Sequence, residues 1–91
     1  MPNAGDEVVV YTRPGCPFSM KLRLQLRLTR LRYSERDIWD DPDAAAYVRS
    51  VADGNETVPT VCVAGHALVN PSLREVLSLV RRYAPDALPR R

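Results

Sequence analysis

The chain is short of nearly everything that would mark a metal, nucleic-acid or membrane protein. It has one histidine, His66, and two cysteines, Cys16 and Cys62, which form no Cys-x-x-Cys pair. That leaves no set of metal ligands at a familiar spacing, and His66 reads as a solvated turn residue. Lysine is almost missing as well: Lys21 stands alone among 13 basic residues, which 11 acidic ones offset to a net charge of +2. Without a basic block interleaved with aromatics, nucleic-acid binding is not supported. No apolar run approaches the roughly 18 residues of a membrane span. The stretch Met1 to Glu7 has neither the basic head nor the apolar core of a signal peptide. A cytoplasmic protein with reduced thiols is therefore expected.

What is present is an alternation of strand-like and helix-like segments. At 91 residues the chain can bury one core without a disulfide or metal staple, and it has no repeat, low-complexity tract or internal linker. The patterns predict strands over Glu7 to Tyr11, Tyr33 to Ile38, Thr60 to Val63 and Ala67 to Val69. They predict helices over Cys16 to Leu31, Pro42 to Ala52 and Pro71 to Tyr83. The order βαβαββα belongs to the α/β class, with a mixed four-stranded sheet and three helices. Residues 1–84 form the expected domain, and 85–91, with two prolines and two terminal arginines, read as a flexible tail.

The second helix has the clearest start. Asp41 can accept from the first free amides, Pro42 fits the first turn, and Asp43 complements the dipole, which accounts for these carboxylates and Asp40 without a metal. The first helix is in conflict with its own pattern. Leu22, Leu24, Leu26 and Leu28 alternate with polar residues at a strand-like period of two, yet the residue types are good helix formers. On a helix, Leu22 and Leu26 share a face with Thr29 and Tyr33, while Met20, Leu24, Leu28 and Leu31 fall opposite. One end of that second stripe is expected to pack under a loop, with Leu24 or Leu28 exposed. The alternative is a partner surface, or a weak dimer of an otherwise monomeric protein, through Leu24 and Leu28.

Cys16 is the residue that points to chemistry. It lies in Tyr11-Thr12-Arg13-Pro14-Gly15-Cys16-Pro17-Phe18-Ser19, where a short apolar strand turns into a helix. The free amides and positive dipole end of a helix start favour a thiolate. Pro17 suits the first helical position, and Arg13 adds a nearby positive charge. So polar and turn-rich a segment is a poor core slot. Ser19 can bond a free amide of the same helix start.

This segment resembles the glutaredoxin branch of the thioredoxin-like superfamily, whose active site reads Cys-Pro-Tyr-Cys or a relative. Thr57-Val58-Pro59 resembles the family's Thr-Val-Pro motif, and the resemblance implies a cis proline facing the active-site cysteine. Such a bond costs only about 0.5–1 kcal/mol, so the residues permit it. Gly54-Asn55-Glu56-Thr57-Val58-Pro59 and Val69-Asn70-Pro71-Ser72 look like the mycoredoxin subgroup, actinobacterial members that work with mycothiol. The likeness runs from about Val8 to Tyr83 and implies a thioredoxin-like fold.

The resemblance implies a monothiol oxidoreductase with Cys16 as the catalytic thiol and Arg13, Pro17, Phe18 and Ser19 as its support. Ser19 stands where a dithiol member has its second cysteine, so an outside thiol must release the mixed disulfide. Tyr11, Thr57, Val58, Pro59, Asn70 and Ser72 are the implied small-thiol and substrate-binding residues, with the Val58 backbone aligning substrate as an added strand. No bound cofactor or metal is expected. The co-substrate is mycothiol or glutathione, and the partners are proteins carrying mixed disulfides. Glutathione-using relatives have a Gly-Gly turn where Val69 and Asn70 stand and an acidic or polar residue at Ser72, so mycothiol is the favoured thiol.

Two other roles stay open: a [2Fe–2S] carrier like the Cys-Gly-Phe-Ser monothiol members, against which Pro17 crowds the approach, and a redox-inactive adaptor, against which the Cys16 setting argues. Cys62 lies three residues past Pro59, about 10 Å along a strand at 3.3 Å per residue. A disulfide needs Cα atoms within about 7 Å, so Cys62 should be a core residue and not a resolving thiol. Trp39, after the second strand, either lines the groove or covers the sheet edge.

Overall fold

The computed structural model describes residues 7–89. Met1 to Asp6, on which most of the signal-peptide reading falls, and the terminal Arg90 and Arg91 lie outside the described residues. The elements are β1 (Val8–Thr12), α1 (Pro17–Thr29), β2 (Ser34–Asp37), α2 (Pro42–Val51), β3 (Thr60–Val63), β4 (His66–Val69) and α3 (Leu73–Tyr83), followed by a 3₁₀ turn at Pro85–Ala87. The sheet order is β2-β1-β3-β4, with β1 parallel to β2 and the β1–β3 and β3–β4 pairs antiparallel. This is the expected mixed sheet with three helices.

Side-chain alternation along the strands splits the core into two layers. Val8 and Val10 of β1 and Val61 and Val63 of β3 face Leu22 and Leu26 of α1 and Val76 and Val80 of α3. On the other face, Tyr11 joins Ile38, Ala44, Ala45 and Val48 beside α2, together with Cys16 and Val58. β1, β2 and β4 run in one direction and β3 in the other. Thr12, Asp37, Val69 and Thr60 therefore meet at one end of the sheet, where the Arg13–Cys16 and Thr57–Pro59 loops also lie.

The divided leucines of α1 resolve as a helix with one buried stripe. Leu22 and Leu26 are buried, while Leu24 is 57% exposed, Leu28 76% and Met20 57%. Leu31 does not join that exposed stripe. The helix stops at Arg30, which takes a left-handed conformation (φ 62°) and turns the chain so that Leu31 enters the core. Helix α3 begins at Leu73, later than expected, because Ser72 captures the cap. Its hydroxyl accepts from the Glu75 amide at 3.2 Å, and the Glu75 carboxylate accepts from the Ser72 amide at 2.9 Å.

The expected tail needs a correction. Ala84 and Ala87 are fully buried against the α1–α3 core, and the Ala87 carbonyl accepts the Arg32 amide at 2.8 Å. The turn at Pro85–Ala87 makes that seating possible, since only two methyl groups need to fit.

Candidate active site

The loop after β1 reverses at Gly15, whose φ of 76° suits glycine, and delivers Cys16 as the N-cap residue of α1. Pro17 occupies the first helical turn as expected, and the Cys16 carbonyl already accepts the Met20 amide at 3.0 Å. The α2 start carries Asp41 and Asp43, and the α3 start carries Glu75. The first turn of α1 has no acidic residue, so the positive end of its dipole is left for the sulfur.

Cys16 is 5% exposed, and its thiol donates to the Val58 carbonyl at 3.8 Å. Across from it the Val58–Pro59 bond is cis, as the Thr-Val-Pro resemblance implied. The thiol pKa is lowered from its ordinary value. The largest cause is hydrogen bonding from the Ser19 hydroxyl, followed by opposing desolvation, then by the Ser19 and Phe18 amides, and last by the charge of Arg13. Ser19 Oγ is fully buried and has no hydrogen-bond partner among the described residues. A hydroxyl so placed is costly unless an acceptor appears, and a Cys16 thiolate is that acceptor. The Val58 carbonyl thus holds the thiol form, and Ser19 with the helix amides holds the thiolate.

A groove of about 510 Å³ opens above the sulfur, lined by Arg13, Cys16, Phe18, Asn55, Glu56, Thr57, Val58 and Asn70. Six of these come from the residues singled out in the sequence. Pro17 and Ser19 shape the helix start behind them. Pro59 and Ser72 instead line a neighbouring pocket of about 310 Å³, which Phe18 and Asn70 share with the groove. Tyr11 lines neither. It is 8% exposed, stacks on Tyr47 with ring centroids 4.9 Å apart, and supports Cys16 and Val58 from within the α2-side core.

Trp39 is likewise absent from the groove and 66% exposed, its amide bonded to Asp37 at 2.9 Å. Cys62 is half-buried in the α2-side cluster and, like Cys16, is a free thiol. Burial, and then hydrogen bonding with Cys62, push the Tyr47 hydroxyl well above the ordinary tyrosine value. Among the described residues no group of three or more His, Cys, Asp or Glu side chains is placed to hold a metal ion, and no helix is long and apolar enough to cross a membrane.

Sequence reasoning missed Asn55 and Glu56 as groove residues. Glu56 is held by Arg49 at 2.8 Å and Asn55 by the Ala52 carbonyl at 3.1 Å, so helix α2 fixes the loop that forms this wall. Their place directly before Thr57-Val58-Pro59 was the available signal.

The glutaredoxin family model matches residues 8–68. A Mycobacterium tuberculosis protein described as a glutaredoxin is 43% identical over 78 residues, covering 85% of this chain and 93% of the relative. Mycoredoxin 1 of Corynebacterium glutamicum is 33% identical over 80 residues, covering 87% and 99%. Among solved structures, a thioredoxin-like protein superposes with a TM-score of 0.74 at 22% identity, over 84% of this chain and 96% of that one. A buckwheat glutaredoxin in complex with glutathione superposes with a TM-score of 0.68 at 16% identity, over 91% and 82%. The sheet order, the helix-start cysteine and these relatives agree: the chain belongs to the glutaredoxin family of thiol–disulfide oxidoreductases and is mycoredoxin-like within it.

Proposed function

We propose that this glutaredoxin works by a monothiol mechanism with Cys16 as its catalytic residue and mycothiol as its preferred small thiol. The observation that carries the reading is the Ser19 hydroxyl, fully buried at the start of α1 without a hydrogen-bond partner of its own and the largest influence lowering the Cys16 thiol pKa. It replaces a resolving thiol with a thiolate donor. The Cys16 thiolate attacks the small-thiol sulfur of a protein mixed disulfide, the old S–S bond breaks, and the protein sulfur leaves and takes up a proton. Cys16 then carries the small thiol. A second small-thiol molecule attacks that disulfide, frees the Cys16 thiolate and departs as the oxidised small-thiol dimer. The net exchange turns one protein mixed disulfide and one free small thiol into a protein thiol and the oxidised small-thiol dimer, and the sulfur at Cys16 is unchanged overall.

Arg13, Phe18, Asn55, Thr57, Val58 and Asn70 form the walls that receive the substrate, and the reducing cytoplasm suits the exposed loop around the thiol. Support for mycothiol comes from Val69 and Asn70, whose side chains stand in the turn where glutathione-using relatives have two glycines and leave less room for a peptide backbone, and from the likeness to mycoredoxin 1.

Mass spectrometry after treatment with oxidised mycothiol should find one adduct, on Cys16. Cys16→Ser should abolish exchange, whereas Cys62→Ala should keep most of it. Equal loss from both variants would overturn the single-thiol mechanism, and better turnover with glutathione than with mycothiol would overturn the co-substrate. Visible absorbance after anaerobic reconstitution with iron and sulfide would favour the [2Fe–2S] carrier instead.

A further inference from the structure

The exposed row on α1 takes no part in the exchange chemistry. Met20, Leu24 and Leu28 follow one another at i, i+4 and i+8, and all three are exposed while Leu22 and Leu26 of the same helix are buried. At 1.5 Å rise per residue the row is about 12 Å long. It starts one turn from the thiol, since the Met20 amide donates to the Cys16 carbonyl at 3.0 Å. Met20 and Leu24 share a shallow notch of about 180 Å³ with Arg23 and Arg27. Single apolar residues on a surface need no explanation, but a contiguous row ringed by charge marks a contact site.

The charges around the row have one sign. From Pro17 to Thr29 the helix carries Lys21, Arg23 and Arg27, all exposed, and no acidic residue. By helical periodicity Lys21 flanks one side of the row, and Arg23 and Arg27 flank the other. Arg23 is paired with Glu35 at 3.0 Å, whereas Lys21 and Arg27 form no ion pair among the described residues. In a two-fold dimer through this face, like charges would meet like, with no carboxylate on either helix to offset them. The complement of the row is therefore apolar along its middle and acidic along its sides.

We propose that the Met20-Leu24-Leu28 row docks an acidic amphipathic helix of the protein whose mixed disulfide Cys16 reduces. A row at i, i+4 and i+8 is the ridge that packs into the groove of a second helix. Carboxylates along the flanks of that helix pair with Lys21 and Arg27. An anionic bilayer also attracts a basic face with exposed leucines, but it brings no disulfide to a thiol one turn from the end of the row. The docking rests on the Cys16 exchange reading and adds to it a recognition element outside the groove, one that selects among protein substrates by a segment about 12 Å long.

The test compares two substrates that carry the same mixed disulfide with mycothiol. One is a cysteine tripeptide; in the other the cysteine precedes a helix with leucines at i, i+4 and i+8 flanked by glutamates. The unaltered protein should show a kcat/KM about tenfold higher for the helical peptide, through KM, the gain expected when two leucines each bury about half of their surface. Leu24→Gln/Leu28→Gln keeps good helix formers and should remove that gain while leaving the tripeptide rate unchanged. Arg27→Gln should lower the helical-peptide value about threefold at low salt. It should change nothing at molar salt, where screening acts over about 3 Å. A lysine-flanked version of the peptide should show no gain. Equal values for the two glutamate-series substrates, or a gain that survives in the double variant, overturn the docking role and leave the Cys16 chemistry standing. A dimer in sedimentation, or binding to phosphatidylglycerol vesicles, that the double variant abolishes also overturns it, because a second copy or lipid then occupies the row. Failure of the unaltered protein to turn over the tripeptide overturns the exchange reading and the docking with it.

Discussion

Removing one oxygen atom, in Ser19→Ala, should move the Cys16 titration without harming the fold. The hydroxyl is fully buried and has no hydrogen-bond partner in the thiol form, so its loss breaks no existing hydrogen bond. A hydrogen bond to a charged group contributes about 1.5–3 kcal/mol. The groove above the sulfur is open to water, which places this one at the low end. At 1.36 kcal/mol per pH unit, the thiol pKa should rise by about one unit toward the ordinary value. The amides of Ser19 and Phe18 and the charge of Arg13 remain and keep some depression in place.

Kinetics sharpen the expectation. A thiolate of higher pKa is the better nucleophile, with a Brønsted slope of about 0.4–0.5, so one unit makes each thiolate roughly threefold faster. Below both pKa values the variant has about one tenth of the thiolate and should react about threefold more slowly with iodoacetamide. Above both it should react about threefold faster. The two pH–rate curves must therefore cross. Stability follows the same sign. A depressed thiol pKa stabilises the native state above the ordinary thiol range, and that contribution fades as the pH falls through the lowered native value. Ser19→Ala should shrink it on the alkaline side only. Parallel rate curves, with an unmoved midpoint, would refute the assignment of Ser19 as the main thiolate donor.

Ser19→Cys places a second thiol one helical turn from Cys16, at i+3, and should close an internal disulfide in mild oxidant, read as a mass loss of two hydrogens. A variant that stays reduced would contradict the α1 start. Leu26→Ala removes a fully buried side chain and should cost about 3 kcal/mol in urea unfolding. Leu24→Ala, on the 57% exposed face, should stay within about 0.5 kcal/mol. Comparable losses would mean that the helix presents both faces to packing partners.

Elements with their own punctuation were legible in the sequence. Asp41 and Pro42 mark the start of α2, and β-branched runs mark β1 and β3, so these sit within a residue or so of expectation. The period-two leucines of α1 were harder, because pattern and propensity disagreed. What decided Leu31 was the left-handed Arg30, a conformation that no local residue preference announces. The start of α3 went to Ser72 over Asn70 because Glu75 completes the capping box, a signal present in Ser72-x-x-Glu75 but outweighed by the nearer Asn-Pro pair. In the site, Cys16 and its helix start could be read from residue types. The weight of Ser19 could not, since it depends on burial: a hydroxyl in water would have many partners, whereas here it has the sulfur. Tyr11 was placed in the groove by resemblance and in the core by strand alternation, which sequence adjacency to the site had hidden.

The seating of Ala84 and Ala87 carries the packed core past the last helix. Both methyl groups close the core beneath β3 and α3, and the Ala87 carbonyl joins the last turn to Arg32, just after α1. The polypeptide is thus fastened at a point well past its last helix. A cut after Tyr83 would therefore remove a plug from the core. Both seats are fully closed, so a bulkier side chain at either position would have to displace its core neighbours.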